Sequence, residues 1–227
     1  MVSARIASIH ESTTLKISAT AKKLTASGLD IIDMGVGEPD FDTPKHIVEA
    51  GCNSIRMGET HYAPTGGIPE LRQAIAEKLS RENLIHSAAE DVIVTPGAKM
   101  AVFAAIQALL QEGEECLLIG PSWVSYEPSV AFAGGSVVWG EVDSDFMPQN
   151  IAEKISPKTR MIIINSPSNP TGAVFERPVL EEIRDLAVDH DLFVISDEIY
   201  EKIIYDHEHI SIGSLPGMAE RTVTING

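Results

Sequence analysis

The chain is predicted to fold as a three-layer α/β/α domain around a mostly parallel sheet. Apolar runs of strand length recur at Cys116–Ile119, Met161–Asn165 and Leu192–Asp197, and helical patterns separate them. The runs are apolar almost throughout instead of alternating, which marks strands covered on both faces. With 227 residues, 44% of them hydrophobic, the chain can bury a sizeable core.

The elements follow in order. Residues 1 to about 29 read as an arm and a polar helix, Thr13–Ser27, and Asp30–Met34 as a short strand. Gly35 and Gly37 then break the chain, and Pro39 and Pro44 bracket an extended loop. Pro44–Met57 and Ile68–Arg81 carry apolar residues at three-and-four spacing, as amphipathic helices do. Val92–Thr95 is a short β-rich run leading to Gly97, and Ala101–Leu110 is an apolar helix. After the strand Cys116–Ile119 come the helix Val124–Phe132, the strand Ser136–Trp139 and the helix Gln149–Ile155. The strand Met161–Asn165, the helix Val179–His190 and the strands Leu192–Asp197 and Thr222–Ile225 complete the pattern.

The formal net charge of −16 argues against nucleic acid and anionic membranes as partners. The opening MVSARIASIHESTTLKIS has no apolar signal region, and no apolar stretch approaches the roughly 20 residues that span a bilayer. Cys52 and Cys116 lie far apart without metal-type spacing, and both read as small core residues. A reduced, cytoplasmic compartment is the expectation. His10, His61, His86, His190, His207 and His209 show no ligand spacing, and His207 and His209 read as parts of an exposed loop.

Two strand ends carry the chemistry. NSPSNPTG (Asn165–Gly172) follows one apolar run and SDEIY (Ser196–Tyr200) closes another. Ligands of open α/β sheets bind outside the carboxyl ends of the strands, so Asn169, Asp197 and Tyr200 should share one crevice. A carboxylate to keep a ring nitrogen protonated, with two neutral groups for a ring hydroxyl, suits pyridoxal phosphate. At the end of a buried run, Asp197 needs a charge partner, which a pyridinium supplies. Asn169 alone could serve only the Asn-Pro-Thr-Gly turn. Gly97-Ala98-Lys99, between a strand and a helix, has free backbone N–H groups at the positive end of the helix dipole, a ready anion site. Taken alone, that tripeptide is an ordinary turn.

Six collinear segments give the sequence a resemblance to the class I/II aminotransferases of the aspartate aminotransferase type: GEPDFDTP (Gly37–Pro44), YAPTGGIPELRQAIAEK (Tyr62–Lys78), VTPGAKMA (Val94–Ala101), GPSWVSY (Gly120–Tyr126), NSPSNPTGAV (Asn165–Val174) and SDEIYEKIIYD (Ser196–Asp206). It implies the large domain of the fold-type-I pyridoxal-phosphate transferases, incomplete here, over residues 45–227, with an arm and part of a small domain over residues 1–44. It further implies phosphate binding at Gly97, Ala98 and Lys99, where Lys99 contributes its backbone N–H. Trp123 would stack on the ring and offer its N–H to a substrate carboxylate. Asn169 and Tyr200 would hydrogen-bond the ring hydroxyl oxygen, and Gly37 would offer its N–H to the substrate. Tyr62 would reach the phosphate of a neighbouring subunit in a homodimer, and the peptide bond before Pro170 is often cis in this family.

In the family an Asn-Gly like Asn226-Gly227 is followed within a few residues by Ser-Lys, the Schiff-base lysine. None of the lysines present stands where the family places it, so the chain is expected to stop short of the catalytic lysine and to be inactive alone. The full-length parent would be a transaminase for an amino acid and a 2-oxoacid, aspartate being the first guess. An aromatic, prephenate or alanine aminotransferase, or a β-lyase of the same fold, is the alternative, and a noncatalytic fragment that binds the cofactor weakly is another. Many relatives carry a lysine near position 10 that selects dicarboxylates, where this chain has His10, so substrate preference is open.

Overall fold

A computed structural model describes residues 3–7, 13–35 and 37–227. His10 lies outside the described residues. The chain divides into two compact units. One holds the short helix α1 (Ala4–Ala7) and everything from Thr65 to Gly227; the other holds α2 (Thr13–Ala26), α3 (Lys45–Arg56) and the loops up to Pro64.

The larger unit is built on six strands: β1 (Glu115–Ile119), β2 (Ser136–Val142), β3 (Pro148–Gln149), β4 (Thr159–Asn165), β5 (Phe193–Asp197) and β6 (Thr222–Ile225). Their spatial order is β3-β2-β1-β4-β5-β6, parallel throughout except for the short antiparallel β3. The helices are α4 (Pro69–Lys78), continued by a π turn at Leu79–Asn83, then α5 (Ala98–Leu109), α6 (Tyr126–Phe132), α7 (Ile151–Lys154) and α8 (Arg177–Asp189).

Strand periodicity explains the layers. Successive residues point to opposite faces, so Cys116, Leu118, Met161, Ile163 and Ile195 meet Val102 and Ile106 of α5 and Tyr126 and Val130 of α6. Leu117, Ile119, Ile162, Ile164 and Val194 meet Leu180, Ile183 and Ala187 of α8 on the other face. Most of these side chains are fully buried, each a contribution of about 1.5–3 kcal/mol. α8 begins with Pro178 in its first turn, where the missing N–H costs nothing, and ends near Asp191 at φ 52°.

The chain runs from β1 outward to β2 and β3, then returns to the opposite side of β1 with β4. That reversal opens a crevice at the carboxyl ends of β1 and β4, the place where such sheets take ligands.

Four sequence expectations need correction. Asp30–Met34 is not a strand: Ile32 and Met34 stand 87% and 90% exposed, and among the described residues no strand pairs with them. Val92–Thr95 is also irregular, tied by the bond from Val94 N–H to the Gly66 carbonyl at 2.9 Å. Cys52 is exposed, because α3 buries none of its residues within the structure described. Cys116 is in the core, and burial pushes its thiol pKa up. His209 is not part of an exposed loop: its side chain is only 12% exposed, with Nε2 2.9 Å from Glu198.

Candidate active site

The crevice is a cleft of about 460 Å³, open to solvent, lined by residues of β4, β5, α5 and the segment after β1. It brings together Ala98, Lys99, Trp123, Asn169, Asp197 and Tyr200, six residues from four separate sequence segments.

Asp197 ends β5 and is 3% exposed. Its Oδ2 accepts the Tyr126 phenol at 2.7 Å and its Oδ1 the Ile199 backbone N–H at 3.3 Å. Among the described residues it has no ion-pair partner. Burial raises its pKa, opposed by the Tyr126 and Ile199 hydrogen bonds. Burial, with the neighbouring Asp197 charge, also pushes the Tyr126 pKa up, so the phenol stays a donor.

Asn165 is the register partner of Asp197 on the adjacent strand. Its Nδ2 donates to the Asp197 carbonyl at 2.9 Å, and its Oδ1 accepts the Asn169 N–H at 2.7 Å, which fixes the turn that presents Asn169. The Asn169 amide and the Tyr200 hydroxyl then stand 3.4 Å apart. The peptide bonds before Pro121, Pro167 and Pro170 are cis.

Gly97 caps the N-terminus of α5 with φ 87°, a left-handed conformation that glycine adopts without strain. The first-turn amides of Ala98 and Lys99 have no acceptor within the helix. Trp123 packs edge-on against Tyr126, centroids 5.4 Å apart at 83°, and the Lys99 ammonium lies 5.1 Å from its ring. Gly37 and Tyr62 belong to the smaller unit, where the Tyr62 side chain is wholly exposed.

Sequence reasoning picks out Trp123 in GPSWVSY but not Tyr126 at the end of the same block, although a buried tyrosine requires a hydrogen-bond partner. Asn165, the first residue of NSPSNPTG, carried a comparable signal.

Fold and site together define an open α/β protein with a cleft at its topological switch point that holds one buried carboxylate. The chain belongs to the aminotransferase class I and II family, whose model matches residues 29–225. It is 44% identical over 230 aligned positions to the aspartate/prephenate aminotransferase of Thermus thermophilus, covering 100% of this chain and 59% of that protein. It is 48% identical over 209 positions to the aspartate aminotransferase of Pyrococcus abyssi, covering 89% of this chain and 54% of the other. The solved Thermus thermophilus aspartate aminotransferase with maleate superimposes with a TM-score of 0.97 at 44% identity, over 100% of this chain and 60% of that one. The chain thus spans about 60% of the length of such relatives. Among the described residues no helix is long and apolar enough to cross a membrane.

Proposed function

We propose that the full-length protein is a pyridoxal-phosphate-dependent transaminase that exchanges an amino group between an amino acid, aspartate first, and a 2-oxoacid. The observation that carries this reading is Asp197, a buried carboxylate lining an open cleft with only neutral donors on its oxygens. Such a group is stabilised by a cationic ring nitrogen. Pyridoxal phosphate, when bound, supplies an electron sink for the pair released at the substrate Cα.

The residues present fit that group. Asp197 would hold the ring nitrogen protonated, while Tyr126 holds Asp197. Asn169 and Tyr200, adjacent in the cleft, would donate to the ring hydroxyl oxygen. The turn of Gly97, Ala98 and Lys99 would take the phosphate on its backbone amides. Trp123 would cover one ring face and, with Asn169, meet the substrate. We assign Tyr62, fully exposed, to the phosphate of a second subunit in a homodimer, and the protein to the cytoplasm. Turnover is assigned to the full-length protein, because residues 1–227 span about 60% of the length of the relatives named above.

Aspartate is favoured because the relatives named above are aspartate or aspartate/prephenate aminotransferases. The deciding experiment is a coupled oxaloacetate assay on the full-length protein with aspartate and 2-oxoglutarate, beside its Asp197→Ala variant and residues 1–227. Activity confined to the intact full-length protein supports the proposal. Silence on aspartate with turnover of an aromatic or neutral amino acid moves the substrate and keeps the site.

A further inference from the structure

Glu198 follows Asp197 but faces away from the cleft, into a second buried polar assembly. It is 1% exposed and accepts hydrogen bonds from Ser196 Oγ at 2.8 Å, from Ser211 Oγ at 2.6 Å and from Asn83 Nδ2 at 3.2 Å, with His209 Nε2 at 2.9 Å. Asn83 Nδ2 also donates to Glu201 at 2.7 Å, and Glu201 is ion-paired with Lys78. The Lys78 ammonium donates further to Asn83 Oδ1 at 2.8 Å and to Asn226 Oδ1 at 3.3 Å. The assembly therefore ties the π turn after α4, the end of β5 and the loop at His209–Ser211 to the first residue past β6.

A partly desolvated ion pair contributes less stability than its contact suggests, since desolvation offsets much of the attraction. What it provides is direction, because every donor must meet its acceptor. Here the direction set is that of the chain leaving β6. Ile225 is the register partner of Asp197, and its carbonyl accepts the Glu198 N–H at 2.8 Å, so a displaced Asn226 would move the backbone beside the cleft carboxylate.

We propose that Lys78 is a positioning residue: held by Glu201 and Asn83, it grips the Asn226 side chain and fixes the backbone at the end of β6 beside Asp197. The proposal rests on the cofactor reading above, in which Asp197, the register partner of Ile225, faces the ring nitrogen of pyridoxal phosphate. Lys78 acts only through Asn226 and does not line the cleft.

The test uses the full-length protein and its Asn226→Ala, Lys78→Met and double variants. Hydrogen exchange of the peptide spanning residues 222–227 is followed without cofactor. The pH midpoint of the absorbance of bound pyridoxal phosphate is followed with it. Each single variant should speed exchange in that segment about tenfold, as expected for one lost hydrogen bond, while β1 and β4 stay protected. Each should shift the absorbance midpoint, and the double variant should match Lys78→Met, because both changes cut the same contact. Exchange and midpoint like wild type in Asn226→Ala, or additive effects, would overturn the proposal. Should Lys78→Met fail to fold, Asn226→Ala decides it, since that change leaves the Lys78–Glu201 pair in place. Absence of a bound-cofactor absorbance in the wild-type protein sinks the cofactor reading instead, and the exchange data then judge the anchoring by themselves.

Discussion

The Tyr126 phenol donates a 2.7 Å hydrogen bond to Oδ2 of Asp197, joining the first residue of α6 to the last residue of β5. Without it the carboxylate keeps only the Ile199 amide, and burial drives its pKa further above the ordinary 3.8. A raised folded value means that Asp197 favours the fold fully below 3.8 and that this contribution is lost as pH rises through the folded value. Tyr126→Phe should therefore cost most at neutral pH, about 1.5–3 kcal/mol, the range for hydrogen bonds to charged groups. Denaturant titrations at neutral and acid pH check this; an equal loss at both would count against a charged acceptor.

Asp197→Asn removes the charge while keeping the shape. Loss of a buried ion pair of about 3–5 kcal/mol corresponds to a fall in pyridoxal phosphate affinity of roughly 10²–10⁴-fold. The cofactor-free protein should be no less stable, since an unpaired buried carboxylate is gone. Equilibrium titration of the full-length protein and a thermal melt without cofactor measure the two halves of this expectation.

Glu201 titrates below its ordinary 4.5: burial opposes this, and the hydrogen bonds from Lys78 and Asn83 outweigh it. A depressed carboxylate stabilises above its unfolded value, and that stability is lost as pH falls through the folded value. Glu201→Gln should flatten the acid limb of the stability curve below pH 4.5 and lower the plateau above it. Melting temperatures across the acid range report both, and an unchanged acid limb would show that other carboxylates dominate.

Gly67 sits at φ 105°, and a Cβ there would come within 2.5 Å of Val94 Cγ2 and 2.8 Å of Val94 Cβ. Gly67→Ala must strain the turn that holds Val94 through the Gly66 carbonyl. A loss of about 1–3 kcal/mol is expected from urea denaturation, partly recovered by Val94→Ala in the same chain.

The sequence made the layers and the cleft legible because both follow from local patterns. Apolar runs mark strands buried on two faces, and the carboxyl ends of those strands fall where Asn169 and Asp197 stand. Partnerships between distant residues were not legible. Nothing local says that Tyr126 reaches Asp197 across 71 positions, or that Lys78 meets Glu201 across 123. The exposure of Cys52 and the unpaired run Asp30–Met34 were hidden for a related reason. Helical and strand-like spacing shows what a segment could bury and not whether a neighbour is there to cover it.

The alternation of side-chain direction at the end of β5 also sets what insertions and deletions the gene can tolerate. Asp197 and Glu198, consecutive and oppositely directed, serve two unrelated environments, a cleft on the α5 side and a sealed hydrogen-bond assembly around Ser211 and Asn83. Loss of one codon within Phe193–Asp197 would bring Glu198 into the place of Asp197 in the cleft, and gain of one would put Ser196 there and leave the cleft without a carboxylate at that position. Length changes in the turns flanking α8 leave the register of Asn165 with Asp197 untouched. Natural length variation should therefore collect outside these five strand residues, and the Asp-Glu pair should be inherited as a single unit.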